Sequence, residues 1–258
     1  MKKCIFCLSM VFLVLFASCS NSTEVSTPPK DTDYIVTPEK PASTPAPEVL
    51  FKPVQFNVAL YESSDDTKRL YIKTQYIDPF CFETGTPERQ LADDIHSDME
   101  KYLDYIRNSA NEYPATEENL VSYGPNTFIT ITRNDERFLC AYVDYYIYEG
   151  GAHDNLYRQT YVYDRLGTRF MELDEIIAPG KTIEDVENEI NNQMREIIEE
   201  QGQMFYGETV SFDDLYAPPG FYIKDDRLIV FFQTYEIAPY AAGIQEFTMP
   251  ADFLSTEE

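Results

Sequence analysis

The chain has 258 residues, 43% of them hydrophobic and 14% aromatic, which is enough to bury a core in one domain or in two small ones. Its formal net charge at pH 7 is −25, so it should repel nucleic acid and anionic lipid surfaces and attract a cationic partner. The same acidity also keeps an exported protein soluble, and composition does not decide between these two roles.

The first residues have the pattern of an export signal. Lys2 and Lys3 precede an apolar run of 13 residues, CIFCLSMVFLVLF, which is too short to span a bilayer of roughly 30 Å as a helix. FASC then resembles the lipobox of bacterial lipoproteins, in which small residues precede a lipidated cysteine, although Phe16 stands where leucine is usual. We predict a signal peptide over 1–18 and a diacylglycerol on Cys19. The alternative is a plain secretory signal with an incidental cysteine.

The segment after the signal is predicted to be a tether. Residues 19–52 are rich in Ser, Thr and Pro and poor in large apolar side chains, so they cannot bury enough surface to order themselves. The folded part is therefore expected in the cell envelope, lipid-anchored to a bacterial membrane on its extracytoplasmic side.

The N-terminal half, 53–165, contains signals for strands and for one helix. Alternating β-branched and aromatic residues predict strands at 54–63, at 69–78, twice within 127–153 and at 156–164. Apolar residues recur at helical spacing between these strands and predict an amphipathic helix over 88–113. The stripe consists of Leu91, Ile95, Met99, Tyr102 and Ile106.

The C-terminal half, 166–258, repeats this logic. Thr182 and Asp185 resemble a capping box and begin an amphipathic helix over 182–201. Strands are predicted at 221–225, 227–237 and 244–250. Together the halves predict an α+β fold with mainly antiparallel sheets, two amphipathic helices and two closely packed halves.

Catalytic and metal-binding patterns are missing from the sequence. SFDDLY at 211–216 looks like the start of a polysaccharide deacetylase motif, but that chemistry needs paired histidines, and the chain has only His96 and His153. There is no GxSxG and no CxxC. We therefore predict a protein that is not an enzyme and has no metal or cofactor. Cys81 and Cys140 are candidates for a disulfide, which an exported compartment permits.

Two stretches suggest binding loops. In YEGGAHDN, Gly150 and Gly151 permit unusual backbone angles and His153 follows at a corner; the alternative is a plain Gly-Gly hairpin turn. In TYEIAPYAAGIQEF, Glu236, Pro239 and Tyr240 form an exposed loop if they do not pack as a corner of the core. An exposed Tyr or Pro is a rigid contact that costs little entropy on binding.

Four segments resemble one family in the same order: YEGGAH at 148–153, YVYDRLG at 161–167, the helix at 182–201 and FYIKDDRLIVFFQTYEIAPYAAG at 221–243. Over residues 53–250 the chain resembles the extracytoplasmic domain of the RsiV-type, lysozyme-sensing anti-sigma factors. Bacterial envelope lipoproteins of unknown function are related to that domain.

The resemblance implies a binding function. In the anti-sigma factors this domain binds lysozyme and covers its active-site cleft, so the expected partner is a basic, lysozyme-like muramidase. The contact loops of the family correspond here to Gly150, Gly151, His153, Glu236, Pro239 and Tyr240. An anti-sigma factor also needs a cytoplasmic segment, and because this chain begins with an export signal we expect no sigma factor as partner. The alternative is a peptidoglycan- or glycan-binding module that uses tyrosines as stacking platforms.

Overall fold

The computed structural model describes residues 51–114, 116, 121–150 and 152–255. The predicted signal peptide, Cys19, nearly all of the predicted tether and Gly151 lie outside these residues. Within the described ranges no helix is long and apolar enough to cross a membrane. The strands are β1 (Val58–Asp65), β2 (Leu70–Ile77), β3 (Gly124–Asn134), β4 (Phe138–Tyr148), β5 (Asn155–Asp164), β6 (Arg169–Phe170), β7 (Gly220–Lys224), β8 (Arg227–Phe232) and β9 (Gln245–Thr248). The helices are α1 (Pro87–Glu112), α2 (Leu173–Ile176) and α3 (Ile183–Gln201).

The strands form two sheets. β1 to β6 make a large sheet whose spatial order follows the chain, and β7, β8 and β9 make a small antiparallel sheet. In the large sheet every neighbouring pair is antiparallel except β2 and β3. Parallel neighbours cannot be joined by a tight turn, and α1 forms the crossover between them.

Two hydrophobic cores lie on opposite faces of the large sheet. Along β4 the side chains alternate: Leu139, Ala141 and Val143 pack in a core with α1, whereas Phe138 and Cys140 pack in a second core with the small sheet and α3. Because β4 contributes to both cores, its residues from 138 to 141 are all buried. The predicted α+β fold with mainly antiparallel sheets is confirmed.

The two long helices are found close to where periodicity predicted them. In α1 the buried stripe contains Leu103 where the periodicity predicted Tyr102. Tyr102 is half-buried, and its hydroxyl donates to the carbonyl of Tyr146 (2.6 Å). In α3 the capping box is confirmed, since Thr182 accepts from the N–H of Asp185 (3.2 Å) and the Asp185 carboxylate accepts from the N–H of Thr182 (2.8 Å).

The two predicted amphipathic helices are present, and the structure adds the four-residue helix α2, which no sequence pattern predicted. One strand boundary was wrong. The strand predicted over 227–237 ends at Phe232, because the chain turns at Gln233 and Tyr235 takes a left-handed conformation.

The candidate disulfide is not formed, and both cysteines are free thiols. Cys140 lies in the second core, where burial raises the pKa of its thiol to about 12. Cys81 is exposed in the short 3-10 turn that precedes α1. One sulfur faces the space between the sheets and the other lies at the surface, so no bridge joins them.

Candidate functional site

The loop between β4 and β5 carries Gly150 and His153. Gly150 has a φ of +81°, a conformation that favours glycine. A Cβ atom there would also lie only 3.2 Å from the side chain of Val121. Glycine therefore lets the chain leave β4 closely over Val121 before it reaches His153.

The chain leaves β8 through a turn in which only some residues belong to the core. Ile237 is buried, but Tyr235 is exposed and has a φ of +70°, which is rare for a bulky side chain and persists only where surrounding contacts hold it. The carboxylate of Glu236 accepts a hydrogen bond from the N–H of Gln233 (2.7 Å). The stretch is therefore a core corner at Ile237 and a surface at Tyr235.

Pro239 and Tyr240 follow directly on this buried corner. Pro239 is exposed and precedes a 3-10 turn over Tyr240–Ala242, which the N–H of Gly243 closes by bonding to the carbonyl of Tyr240 (2.9 Å). Gly243 has a φ of +72°, so it turns the chain back towards β9. Proline and the closed turn fix the backbone that carries the Tyr240 ring.

The structure brings the two predicted loops together. The imidazole of His153 stacks on the ring of Tyr240, with centroids 3.8 Å apart and planes inclined by 15°. Tyr235 completes the group, because its hydroxyl lies 3.0 Å from Nε2 of His153 and its ring lies 5.6 Å from that of Tyr240. We name His153, Tyr235 and Tyr240 the aromatic patch.

The hydrogen bonds of His153 define its tautomer. Nδ1 lies 2.8 Å from the carbonyl oxygen of Asp154, which can only accept, so Nδ1 carries a proton. In the neutral ring Nε2 is then an acceptor, and the hydroxyl of Tyr235 donates to it. Both ring nitrogens are thus occupied, which fixes the orientation of the imidazole against Tyr240.

Glu236 stands apart from the aromatic patch. Its side chain is half-buried and turned to the N–H of Gln233. Burial raises the pKa of the Glu236 carboxyl, against the hydrogen bond from Gln233, which lowers it. Of the predicted contact residues, His153 and Tyr240 are therefore in direct contact, Pro239 supports Tyr240, and Glu236 points elsewhere.

Side chains of the turn tie it to β5. The amide of Gln233 donates to the carbonyl of Arg158 (2.7 Å) and accepts from its N–H (2.9 Å), as a neighbouring strand would. Thr234 adds a bond from its hydroxyl to the carbonyl of Leu156 (3.1 Å). These bonds position Tyr235, the next residue, beside His153.

A charge network lies beneath these bonds, between the two sheets, and it is buried at Arg158 and Asp144. The guanidinium of Arg158 binds both carboxylate oxygens of Asp144, at 2.6 and 2.9 Å, and also pairs with Glu246. It lies over the ring of Tyr142 at 3.9 Å, and Tyr222 donates its hydroxyl to Glu246 (3.1 Å). The network joins β4 and β5 of the large sheet to β7 and β9 of the small sheet.

Sequence reasoning missed Tyr235 as a member of the patch. In an extended strand Tyr235 would share a face with the buried Ile237, and no local signal predicts a left-handed tyrosine. Across the described residues, no group of three or more His, Cys, Asp and Glu side chains is placed to hold a metal ion. The patch presents aromatic rings and hydrogen-bonding groups that can contact a partner.

Comparisons with known proteins identify a domain in the C-terminal part. Residues 174–252 match a family model described as "Protein of unknown function (DUF3298)". The match contains Tyr235 and Tyr240. It begins after His153, so that residue of the aromatic patch lies outside it. No curated protein matches the chain.

Two solved structures are similar to the chain. A DUF3298 family protein from Pseudomonas aeruginosa PAO1 has 14% identity and a TM-score of 0.53, covering 80% of this chain and 96% of its own. A member of the same family from Bacteroides fragilis NCTC 9343 has 16% identity and a TM-score of 0.45, covering 78% and 94%. None of these matches names an anti-sigma factor, so the RsiV-type resemblance stays a prediction. The chain therefore contains a DUF3298 domain match at 174–252, within a fold that it shares with the Pseudomonas protein.

Proposed function

We propose that this chain is an exported bacterial lipoprotein that binds a lysozyme-like muramidase without catalysis. Lipid on Cys19 holds it outside the cytoplasm, and the tether over 19–52 carries the folded part. The observation that supports the proposal is the contact between His153 and Tyr240, 87 residues apart in the chain, which joins both loops that the family resemblance singles out.

The geometry of the aromatic patch suits an inhibitor that occludes a cleft. The 3-10 turn fixes the backbone of Tyr240, and the imidazole of His153 stacks on the face of its ring. Tyr235 is 51% exposed and fixed by its hydrogen bond to His153. Rings already held in place lose little conformational entropy on binding, so more of their contact energy contributes to affinity.

Charge supports a basic partner. The net charge of −25 attracts a cationic protein over distances comparable to the Debye length, which is about 8 Å at physiological salt. Such steering accelerates encounter and is weakened by added salt, whereas buried aromatic contacts are not. The two contributions can therefore be separated by ionic strength.

The test is a calorimetric titration of the full chain with a basic lysozyme at low and at high salt. Stoichiometric binding that persists at high salt is the result that we expect. Binding heat that disappears with salt would mean only that an acidic surface meets a basic one, and it would contradict the proposal.

Replacing Tyr240 by alanine should weaken the complex by about 2 kcal/mol or more, because a buried aromatic at the centre of an interface typically contributes that much. The readout is the dissociation constant at high salt. Tyr216→Ala is the matched control, since Tyr216 is fully exposed and lies outside the aromatic patch. Equal affinities for both variants, with an intact fold, would remove Tyr240 from the interface.

A second candidate function is a peptidoglycan- or glycan-binding module of the envelope. It is favoured by a tyrosine-lined cleft beside Tyr102, Tyr145 and Tyr157, whose lining includes none of the three residues of the aromatic patch. This function predicts binding to cell-wall fragments when no muramidase is present.

A further inference from the structure

A cleft runs along β5, between that strand, α1 and the loop that precedes β7. It consists of two cavities of about 560 and 360 Å³. Asp98, Tyr157 and Gln159 line both cavities, so the two lie side by side. Pro218 lines the larger one and Tyr145 the smaller one. Their volumes lie in the range of sites that hold small organic ligands.

β5 exposes an edge to this cleft. β6 pairs only with Tyr163 and Asp164, at the end of β5. Gln233 bonds to both main-chain groups of Arg158, so by the alternation of an antiparallel ladder every second residue of β5 turns its main chain towards this edge. Thr160 is the next residue in that register, and it lines the larger cavity. Its N–H is therefore directed towards the cleft.

Tyr157 stands at the junction of the two cavities, and 52% of it is exposed. Its hydroxyl donates to Oε1 of Gln159 (3.0 Å), and Nε2 of Gln159 donates to the carbonyl of Thr160 (3.2 Å). These bonds hold the ring in one orientation. Burial, and then the charges of Glu236 and Asp98, raise the pKa of Tyr157, so both carboxylates act on the same hydroxyl.

The ionisable groups of the cleft are mostly hydrogen-bond acceptors. They are the carboxylates of Asp94, Asp98, Glu172 and Glu236. Arg158 also lines the cleft, but Asp144 and Glu246 already neutralise it. A ligand that fits must therefore bring donors, and a negative charge on it would be repelled.

Two of the carboxylates are already partly satisfied, which favours a neutral ligand over a cation. Asp98 pairs with Lys101 (2.8 Å) and accepts from the hydroxyl of Tyr161 (3.0 Å). Glu236 accepts from the N–H of Gln233. Their remaining lone pairs suit hydroxyl donors. The apolar face of a pyranose ring, in turn, suits an exposed and fixed tyrosine ring such as Tyr157.

We propose that this cleft binds a neutral oligosaccharide, with Tyr157 as the stacking platform and Asp98 and Glu236 as acceptors for its hydroxyl groups. The inference rests on the second candidate function and is independent of muramidase binding through the aromatic patch. The inference assigns glycan binding to the cleft along β5 and muramidase binding to the aromatic patch.

The experiment is a calorimetric titration of the full chain, without lysozyme, with N,N′,N″-triacetylchitotriose. We expect binding to this neutral trisaccharide and none to trigalacturonic acid, which carries three carboxylates. Tyr157→Ala should weaken binding about tenfold or more through the lost ring contact, whereas Tyr157→Phe keeps the ring and should stay within about threefold.

Reciprocal variants distinguish the two sites. Tyr240→Ala should leave the trisaccharide affinity unchanged, and Tyr157→Ala should leave lysozyme binding unchanged. Trisaccharide binding that is insensitive to Tyr157→Ala would overturn the cleft as the site but leave glycan binding standing. Absence of trisaccharide binding, equal binding of the acidic trisaccharide, or preference for trilysine would each overturn the proposed ligand class.

Discussion

Replacing Arg158 by methionine should lower the free energy of unfolding by about 3–5 kcal/mol, measured by urea denaturation. The side chains of Arg158 and Asp144 are only 10% and 11% exposed, and they meet in two parallel hydrogen bonds. Methionine keeps most of the length of the side chain but leaves the charge of Asp144 buried without its partner, which is costly in a medium of low dielectric constant.

Two controls separate charge burial from loss of packing. Arg169→Met removes a pair of similar geometry, because Arg169 binds both oxygens of Glu175 at 2.7 Å, but that pair is at the surface and its loss should change stability little. The double variant Arg158→Met/Asp144→Leu removes both charges and should recover much of the loss. A cost for Arg158→Met no larger than that for Arg169→Met would contradict the buried network as a stabilising feature.

Gly220→Ala should destabilise the protein by about 3 kcal/mol, the upper end of the range for overpacking a core. Gly220 faces Phe231 across the β7–β8 ladder. A Cβ atom at Gly220 would lie 2.1 to 2.7 Å from three ring atoms of Phe231. Phe231 is 1% exposed, so moving its ring would disturb the side chains packed around it.

The cause can be tested within the same pair. In a Phe231→Leu background the ring atoms are absent, and Gly220→Ala should cost much less. Gly124→Ala is the matched control, since Gly124 also begins a strand and its nearest contact would be an ordinary 3.8 Å from Tyr148. An equal loss of stability at Gly124 and Gly220 would show that the clash with Phe231 is not the cause.

Local patterns predict the parts of the fold that depend on local physics. Thr182 and Asp185 cap α3 through neighbouring backbone groups, so the capping box is visible in sequence. The stripe of α1 went wrong by one residue at Tyr102 because tyrosine has both an apolar ring and a polar end. Its hydroxyl bonds to Tyr146 and keeps it at the margin of the core, while Leu103 is buried.

The sites depend on contacts between distant segments, and these leave weaker signals. The family resemblance pointed to His153 and Tyr240, but residue types alone do not predict that their rings stack. Nothing in the sequence distinguishes Arg158 from an ordinary exposed strand residue. Its burial depends on ion pairs with Asp144 and Glu246, which the fold brings to it between the two sheets. The exposure of Tyr157 beside a cleft is likewise not visible in the sequence, because residues from α1 and from the loop before β7 form that cleft together with β5.

The alternation along β4 has a consequence for how the molecule opens. Leu139 and Ala141 belong to one core, while Phe138 and Cys140 belong to the other. Separating either core from β4 would therefore expose side chains of this strand that are buried in the folded protein. The amide hydrogens of β4 should therefore be among the last to exchange with deuterium in heavy water, at a free energy close to that of global unfolding. Those of β1, whose side chains are mostly exposed at the edge of the large sheet, should exchange through local opening and much earlier.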